Sequence, residues 1–288
     1  MWKKFLPSTL SAASYASAVI FVRFAYQAGI TPGTAVFLRF VLASLALGGF
    51  LRLSRRWHSL PRRQAAGLFL LGLLAYTFLG ITWFVALSTT PVWLVSLFGA
   101  ISPLTVSLGS WLFLHETLPW RQIAALAAVV LGGILIFWQP FETSVTIGLV
   151  LMSLNILLHT VYVLVGQRFT RRVPPTQSAF WMISGAGLGT LVYALVSGQL
   201  SLAFQPQGWV WVAMFAVIST ALAISFLWWG IGLLGPSKAM IIGSLEPVFS
   251  IFLAVLVLGE RLDALQVAGA ALILAGVMLV RREIKEPA

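Results

Sequence analysis

Ten apolar stretches of about 20 residues follow one another along this chain, each long enough to cross a bilayer as a helix. They run 8–28, 32–53, 64–87, 91–114, 119–138, 146–167, 176–197, 208–233, 236–258 and 263–281. The connections are too short to fold as domains, and the longest, SGQLSLAFQPQG at 197–208, reads as a polar turn. Of the 288 residues, 60% are hydrophobic and 9% charged, whereas soluble domains carry about 25% charged residues. So few charges cannot cover so much apolar surface in water, and the sequence predicts an all-α polytopic membrane protein. The opening MWKKFLPSTLSAAS has the lysines and apolar run of a secretory leader. The run continues past Arg23 to the end of the first stretch, however, and is read as an uncleaved span.

The basic residues predict an orientation. Lys3, Lys4, Arg52, Arg55, Arg56, Arg62, Arg63, Arg121, Arg168, Arg171, Arg172, Lys238, Arg281, Arg282 and Lys285 account for fifteen of the 18 Lys and Arg and fall on one side of the ten-span arrangement. Arg261 lies in a loop on the other side, while Arg23 and Arg39 fall inside spans. By the positive-inside rule both termini are cytoplasmic, in a cytoplasmic (inner) membrane. The net charge of +11 is thus a topology signal and not a nucleic-acid footprint. The lack of cysteine excludes disulfides and a thiol nucleophile. His58, His115 and His159 lie at three depths and do not form one metal site. GAGLGT at 185–190 half matches a dinucleotide fingerprint, but it sits inside a span with no preceding strand, and its Gly185-x-x-x-Gly189 spacing fits close helix packing. No phosphate-binding loop, cofactor site or obligate partner protein is evident; the expected partners are the lipid bilayer and a small-molecule substrate.

The chain also repeats itself. Shifted by 144 positions, FGAISPLTVSLGSWLFLHETLPWRQIAALAAVVLGGILIF (98–137) aligns without a gap on IGSLEPVFSIFLAVLVLGERLDALQVAGAALILAGVMLVR. Shared greasiness explains some identities, but not the pairs Pro103/Pro247, Glu116/Glu260 and Gln122/Gln266. Two five-span units are implied, 1–144 and 145–288. Because five is odd, the second enters the membrane from the opposite side, and such inverted repeats surround a midplane site in many secondary transporters. LFGAISPLTVSLGSWLFLHETL and IIGSLEPVFSIFLAVLVLGERL resemble the helix-four signatures of the EamA-type drug/metabolite transporter superfamily. The resemblance covers nearly the whole chain and is strongest to the YddG-type exporters of aromatic and other amino acids. It implies ten helices around a central cavity and outward movement of small organic solutes. Ser102 stands where the second half has Glu246, so the halves are not chemically equivalent.

Polar residues near span centres are the candidates for a site, since ionisable groups at that depth face a bundle interior or a wet cavity. Ser14, Ser17, Ser102, Ser219 and Glu246 lie there. Tyr76, Gly80 and Trp83 share one helical face, as do Asn155, His159 and Tyr162, and Trp181 belongs to a similar stripe on the seventh span. Aromatic rings with a few hydrogen-bonding groups suit an amphipathic ligand, though the same rings also serve interhelical packing. Trp2, Trp57, Trp120 and Trp209 lie at span ends, as interfacial belts require. Glu246 has two readings: a lock made by an internal hydrogen bond or ion pair, or recognition of a substrate ammonium group or proton coupling. Pro103 and Pro247 each remove a backbone donor and so kink or open their helices. Arg23 and Arg39, a few residues inside the outer face, either snorkel to headgroups or shape an outer vestibule where they could attract a substrate carboxylate. Glu116, Glu260 and the Asp263–Gln266 capping box are structural.

The sequence therefore predicts a secondary transporter that exports amino acids or related metabolites by alternating access. The alternatives are a broad exporter of drugs and cations, a membrane-embedded lipid-modifying enzyme, which needs acids or histidines clustered at one membrane face, and a sensor or assembly subunit, which usually carries a soluble domain.

Overall fold

The computed structural model describes all residues except 1, 90, 91, 139–145, 171, 260, 261 and 286–288. All regular structure among the described residues is helical. Eight helical segments are long and apolar enough to span a membrane, and Phe98–Leu114 and Trp120–Ile136 are shorter apolar helices. In order, these are the ten expected spans. The first comprises α1 (Trp2–Ala16) and α2 (Ala18–Gln27), and the second is α3 (Pro32–Leu53). The third is α4 (Arg62–Leu71), a π turn at Gly72–Tyr76, and α5 (Thr77–Thr89). Next come α6 (Val92–Leu114), α7 (Trp120–Ile136), α8 (Thr146–Thr170) and α9 (Pro175–Val196). The eighth span is α10 (Gln207–Ala216), a π turn at Val217–Leu222, and α11 (Ala223–Leu234). The ninth is broken into α12 (Pro236–Gly243) and α13 (Leu245–Leu258), and α14 (Ala264–Lys285) is the tenth. Leu45, Leu53, Val192 and Val196 are among many large apolar side chains left exposed, a surface suited to lipid and not to water.

The packing maps onto itself when the halves are exchanged. α7 lies against α14 and α3 against α9. The contact of α1 with α11 matches that of α8 with α5, and α1 with α13 matches α8 with α6. Single interactions repeat at the 144-residue offset. The Asn155 side chain donates to the Leu79 carbonyl at 2.8 Å, and Ser11 donates to the Ala223 carbonyl at 2.9 Å. A Cβ at Gly132 would come within 2.6 Å of the Gly269 carbonyl, and one at Gly276 within 2.9 Å of the Ala125 carbonyl. Such small-residue contacts let helix backbones approach closely where lipid supplies no hydrophobic drive for association. The two π turns also fall at matching positions. A threonine donates its hydroxyl to the carbonyl five residues back at each, Thr77, just past the first turn, to Gly72 at 3.4 Å and Thr220, within the second, to Phe215 at 3.1 Å.

The two prolines act differently. In the ninth span the helix breaks at Ser244, just after Gly243, whose carbonyl would have bonded the missing Pro247 donor. α6 runs through Pro103 without a break. The boundary drawn between residues 144 and 145 falls outside the described residues.

Candidate functional site

Aromatic rings from four spans gather around Tyr76, the last residue of the first π turn. A π turn inserts an extra residue into the helix and re-aims the face that follows it, and such turns occur often at functional sites. Tyr76 stacks on Tyr162 of α8 at 5.0 Å between centroids and 10° between planes. Its edge meets Phe40 of α3 at 5.3 Å. Tyr162 is buried: its hydroxyl donates to the Met182 sulfur at 3.4 Å and accepts from the Trp228 indole nitrogen at 3.2 Å. Its polar end is therefore committed within the protein, and Tyr162 with Trp228 forms the wall that fixes the Tyr76 ring. One helical turn before Tyr162, His159 sits 2.7 Å by its Nδ1 from the Ser102 hydroxyl, joining α8 to α6.

Glu246 stands in the first turn of α13. Its side chain keeps accessible surface although it lies in the middle of its span, and it is an electrostatic neighbour of both Tyr15 and Tyr76. It makes no hydrogen bond or ion pair among the described residues. The Tyr15–Glu246 pair is the counterpart, at the 144-residue offset, of the His159–Ser102 pair. Each pair bridges the two halves, one an acid beside a phenol and the other an imidazole bonded to a hydroxyl.

Arg39 departs from one of its two sequence readings, the snorkelling one. It is the eighth residue of α3, about 10 Å along the helix from its start, and its side chain turns inward instead of snorkelling outward. The guanidinium lies 4.3 Å from the Phe40 ring centroid and 5.2 Å from that of Phe215. Its Nε is buried without a hydrogen-bond partner, and it is an electrostatic neighbour of Tyr15, Tyr26 and Tyr76. Arg23, by contrast, is exposed on α2.

The remaining candidates spread over other places. Ser14 and Ser17 line a cavity of about 400 Å³ with Leu10, Ala13, Ile218, Phe249, Phe252 and Leu253, between the first, eighth and ninth spans. Ser17, at the break between α1 and α2, pairs its hydroxyl with that of Ser219 in the second π turn at 2.8 Å. Asn155 also donates to the Thr82 hydroxyl at 2.8 Å, so its amide serves the packing of α8 on α5. Gly80 is buried, and Trp83 is exposed. Trp181 lies 6.3 Å from the belt residue Trp57 and 5.4 Å from Phe180. Tyr15, Phe40 and Trp228 escaped the sequence reading. Applying the repeat offset to His159 would have found Tyr15. No local signal marks Phe40 or Trp228, whose places depend on how spans two and eight pack.

Outside the spans, Glu116 follows His115, a residue in the left-handed region at φ 56°. This turn brings the Glu116 carboxylate to the Ser237 backbone N–H at 3.4 Å, tying the end of α6 to the start of α12. Burial holds the Glu116 carboxyl above the usual carboxylate range, against the opposing pull of the Ser237 N–H and Lys238.

The arrangement offers aromatic faces, one acid, one guanidinium and several hydroxyls within the helical bundle, chemistry for non-covalent recognition. The model of the EamA-like transporter family matches this chain twice, over residues 6–138 and 146–282. The chain belongs to the EamA-like transporter family. It is a multi-pass membrane transporter, and other members share its sequence at a distance. A Bacillus subtilis (strain 168) protein named "Uncharacterized transporter YyaM" is 25% identical over 235 residues, covering 78% of this chain and 76% of the relative. An Archaeoglobus fulgidus protein named "Uncharacterized transporter" is 24% identical over 217 residues, covering 74% and 76%. A solved crystal structure superposes with a TM-score of 0.82 at 18% identity, covering 97% of this chain and 98% of that one, and so shares the fold.

Proposed function

We propose that this EamA-family transporter exports amino acids, aromatic ones among them, or closely related metabolites across a cytoplasmic membrane. The observation that carries this reading is Glu246: a carboxylic side chain in mid-span, with accessible surface beside Tyr15 and Tyr76 and joined to no described residue by hydrogen bond or ion pair. A charge at such depth is costly unless it is hydrated or meets a ligand, and the rings around Tyr76 suit an amphipathic solute. The site draws on Tyr76, His159, Ser102 and Glu246, with Tyr162 behind them. Transport proceeds by rocking of two inverted units, 1–144 and 145–288, about this level, both termini being cytoplasmic. The matched contacts and paired π turns of the two halves support that division.

The test is flux of a panel of radiolabelled amino acids through liposomes containing the purified protein. Movement of at least one, abolished by heat denaturation, is the expected result. If no amino acid crosses over a wide panel, the reading fails.

A further inference from the structure

Arg39 is a half-buried cationic group, its Nε fully enclosed, that the proposed mechanism leaves without a task. An enclosed Nε without a hydrogen-bond partner is expensive to retain for packing alone, because that donor loses water and gains only ring contacts. Tyr76 is an electrostatic neighbour of Arg39 and of Glu246 alike. Neither charge, however, makes an ion pair with the other. Tyr15 is likewise a neighbour of both. Two opposite charges are thus held around the same pair of phenols without cancelling.

We propose that Arg39 and Glu246 read the two ends of a zwitterionic α-amino acid, the guanidinium taking the carboxylate and Glu246 taking the ammonium, with Tyr15 and Tyr76 beside the substrate backbone. The proposal rests on the amino-acid reading above and deepens it: Arg39 becomes a specificity residue of the central site. The argument is one of charge matching. A simple cation satisfies Glu246 but is repelled by Arg39, and a simple anion meets the reverse. A zwitterion satisfies both and brings no net charge into the membrane interior. The planar guanidinium also fits a carboxylate through two parallel hydrogen bonds, which a lysine ammonium does not reproduce. Phe40 and Phe215, packed on the guanidinium at 4.3 and 5.2 Å, fix its position.

The test uses competition in proteoliposomes. The labelled substrate is the amino acid of the panel that moves fastest; the competitors are the same amino acid unlabelled, its methyl ester and its deaminated acid. In wild type the intact amino acid should compete about tenfold more strongly than either analogue, since each analogue loses one charge-assisted contact. Arg39→Gln should weaken the amino acid to the level of the ester while leaving the ester unchanged. Glu246→Gln should do the same relative to the deaminated acid, and Arg39→Lys should recover part of the loss. Equal competition by all three compounds in wild type would overturn the proposal, as would a folded Arg39→Gln protein that weakens acid and ester alike. Should Arg39→Gln fail to reach the membrane, the wild-type comparison alone decides. Flux without this discrimination sinks only the dipolar site; absence of any amino-acid flux removes the function on which it rests.

Discussion

Among single residues, Tyr76 and His159 meet partners at the same level from different spans, whereas Trp209 is 44% exposed at a span end. Truncating either of the first two removes a ring from the site. Tyr76→Ala and His159→Ala should each lower transport several-fold per molecule in the membrane, with Trp209→Ala close to wild type. Equal loss in all three would show that depth does not select site residues. Glu246 separates function from structure by a different comparison. With no described hydrogen-bond or ion-pair partner, Glu246→Gln has no lock to break, so the melting temperature should stay near wild type while flux falls or changes its dependence on substrate charge. A sharp drop in melting temperature with normal flux from the folded fraction would reverse that assignment.

At the level of elements, the left-handed residue closing the fourth span is His115 at φ 56°, and its counterpart closing the ninth is Gly259 at φ 67°. Only glycine adopts that conformation without a Cβ clash, which costs other residues about 1–2 kcal/mol. His115→Gly should therefore stabilise the protein by about 1 kcal/mol, and Gly259→Ala should lose a similar amount, both read from thermal unfolding in detergent. Gly185 marks where α9 touches the third span beside the first π turn. A Cβ there would collide with the Phe69 carbonyl. Gly185→Val should cost about 1–3 kcal/mol, as overpacking does, while Gly49→Ala, in open space, should be nearly neutral. Similar stability of the two variants would mean that α9 does not pack so closely.

For the whole molecule, orientation is the quantity to measure. The concentration of Lys and Arg on one side predicts that reporters fused at residue 58 and at the C-terminus are active only in the cytoplasm, and one at 203 only outside. An external C-terminus would dismantle both the ten-span order and the inverted relation of the halves. The close approach of α7 and α14 through Gly132, Gly269 and Gly276 and the cross-pairing of the first and sixth spans join the halves on more than one side. Rocking must then be accommodated within spans. The breaks at Ser17 and Ser244 and the two π turns are the irregular places in the first, ninth, third and eighth spans.

Sequence alone was enough for the helical class, the order of spans and the repeat, because each is a one-dimensional property: apolar length, charge placement and self-similarity at a fixed offset. It also singled out Tyr76, His159, Ser102 and Glu246 as candidates, since a polar group at the centre of an apolar run is conspicuous without any knowledge of its neighbours. Which way a side chain turns depends on what packs against its helix, and there the sequence was silent. Arg39 read as snorkelling outward or lining a vestibule, and the inward turn of its side chain came with the packing of α10, whose Phe215 lies against its guanidinium. Tyr162 read as cavity lining until Trp228 and Met182 took up its hydroxyl. The break at Pro247 and the unbroken helix at Pro103 begin from the same missing donor, so the difference arises from the surroundings of each helix and not from proline itself. Tertiary packing decided these because a rotation of a helix by a fraction of a turn exchanges lipid, core and site, while leaving hydrophobicity and spacing along the chain unchanged.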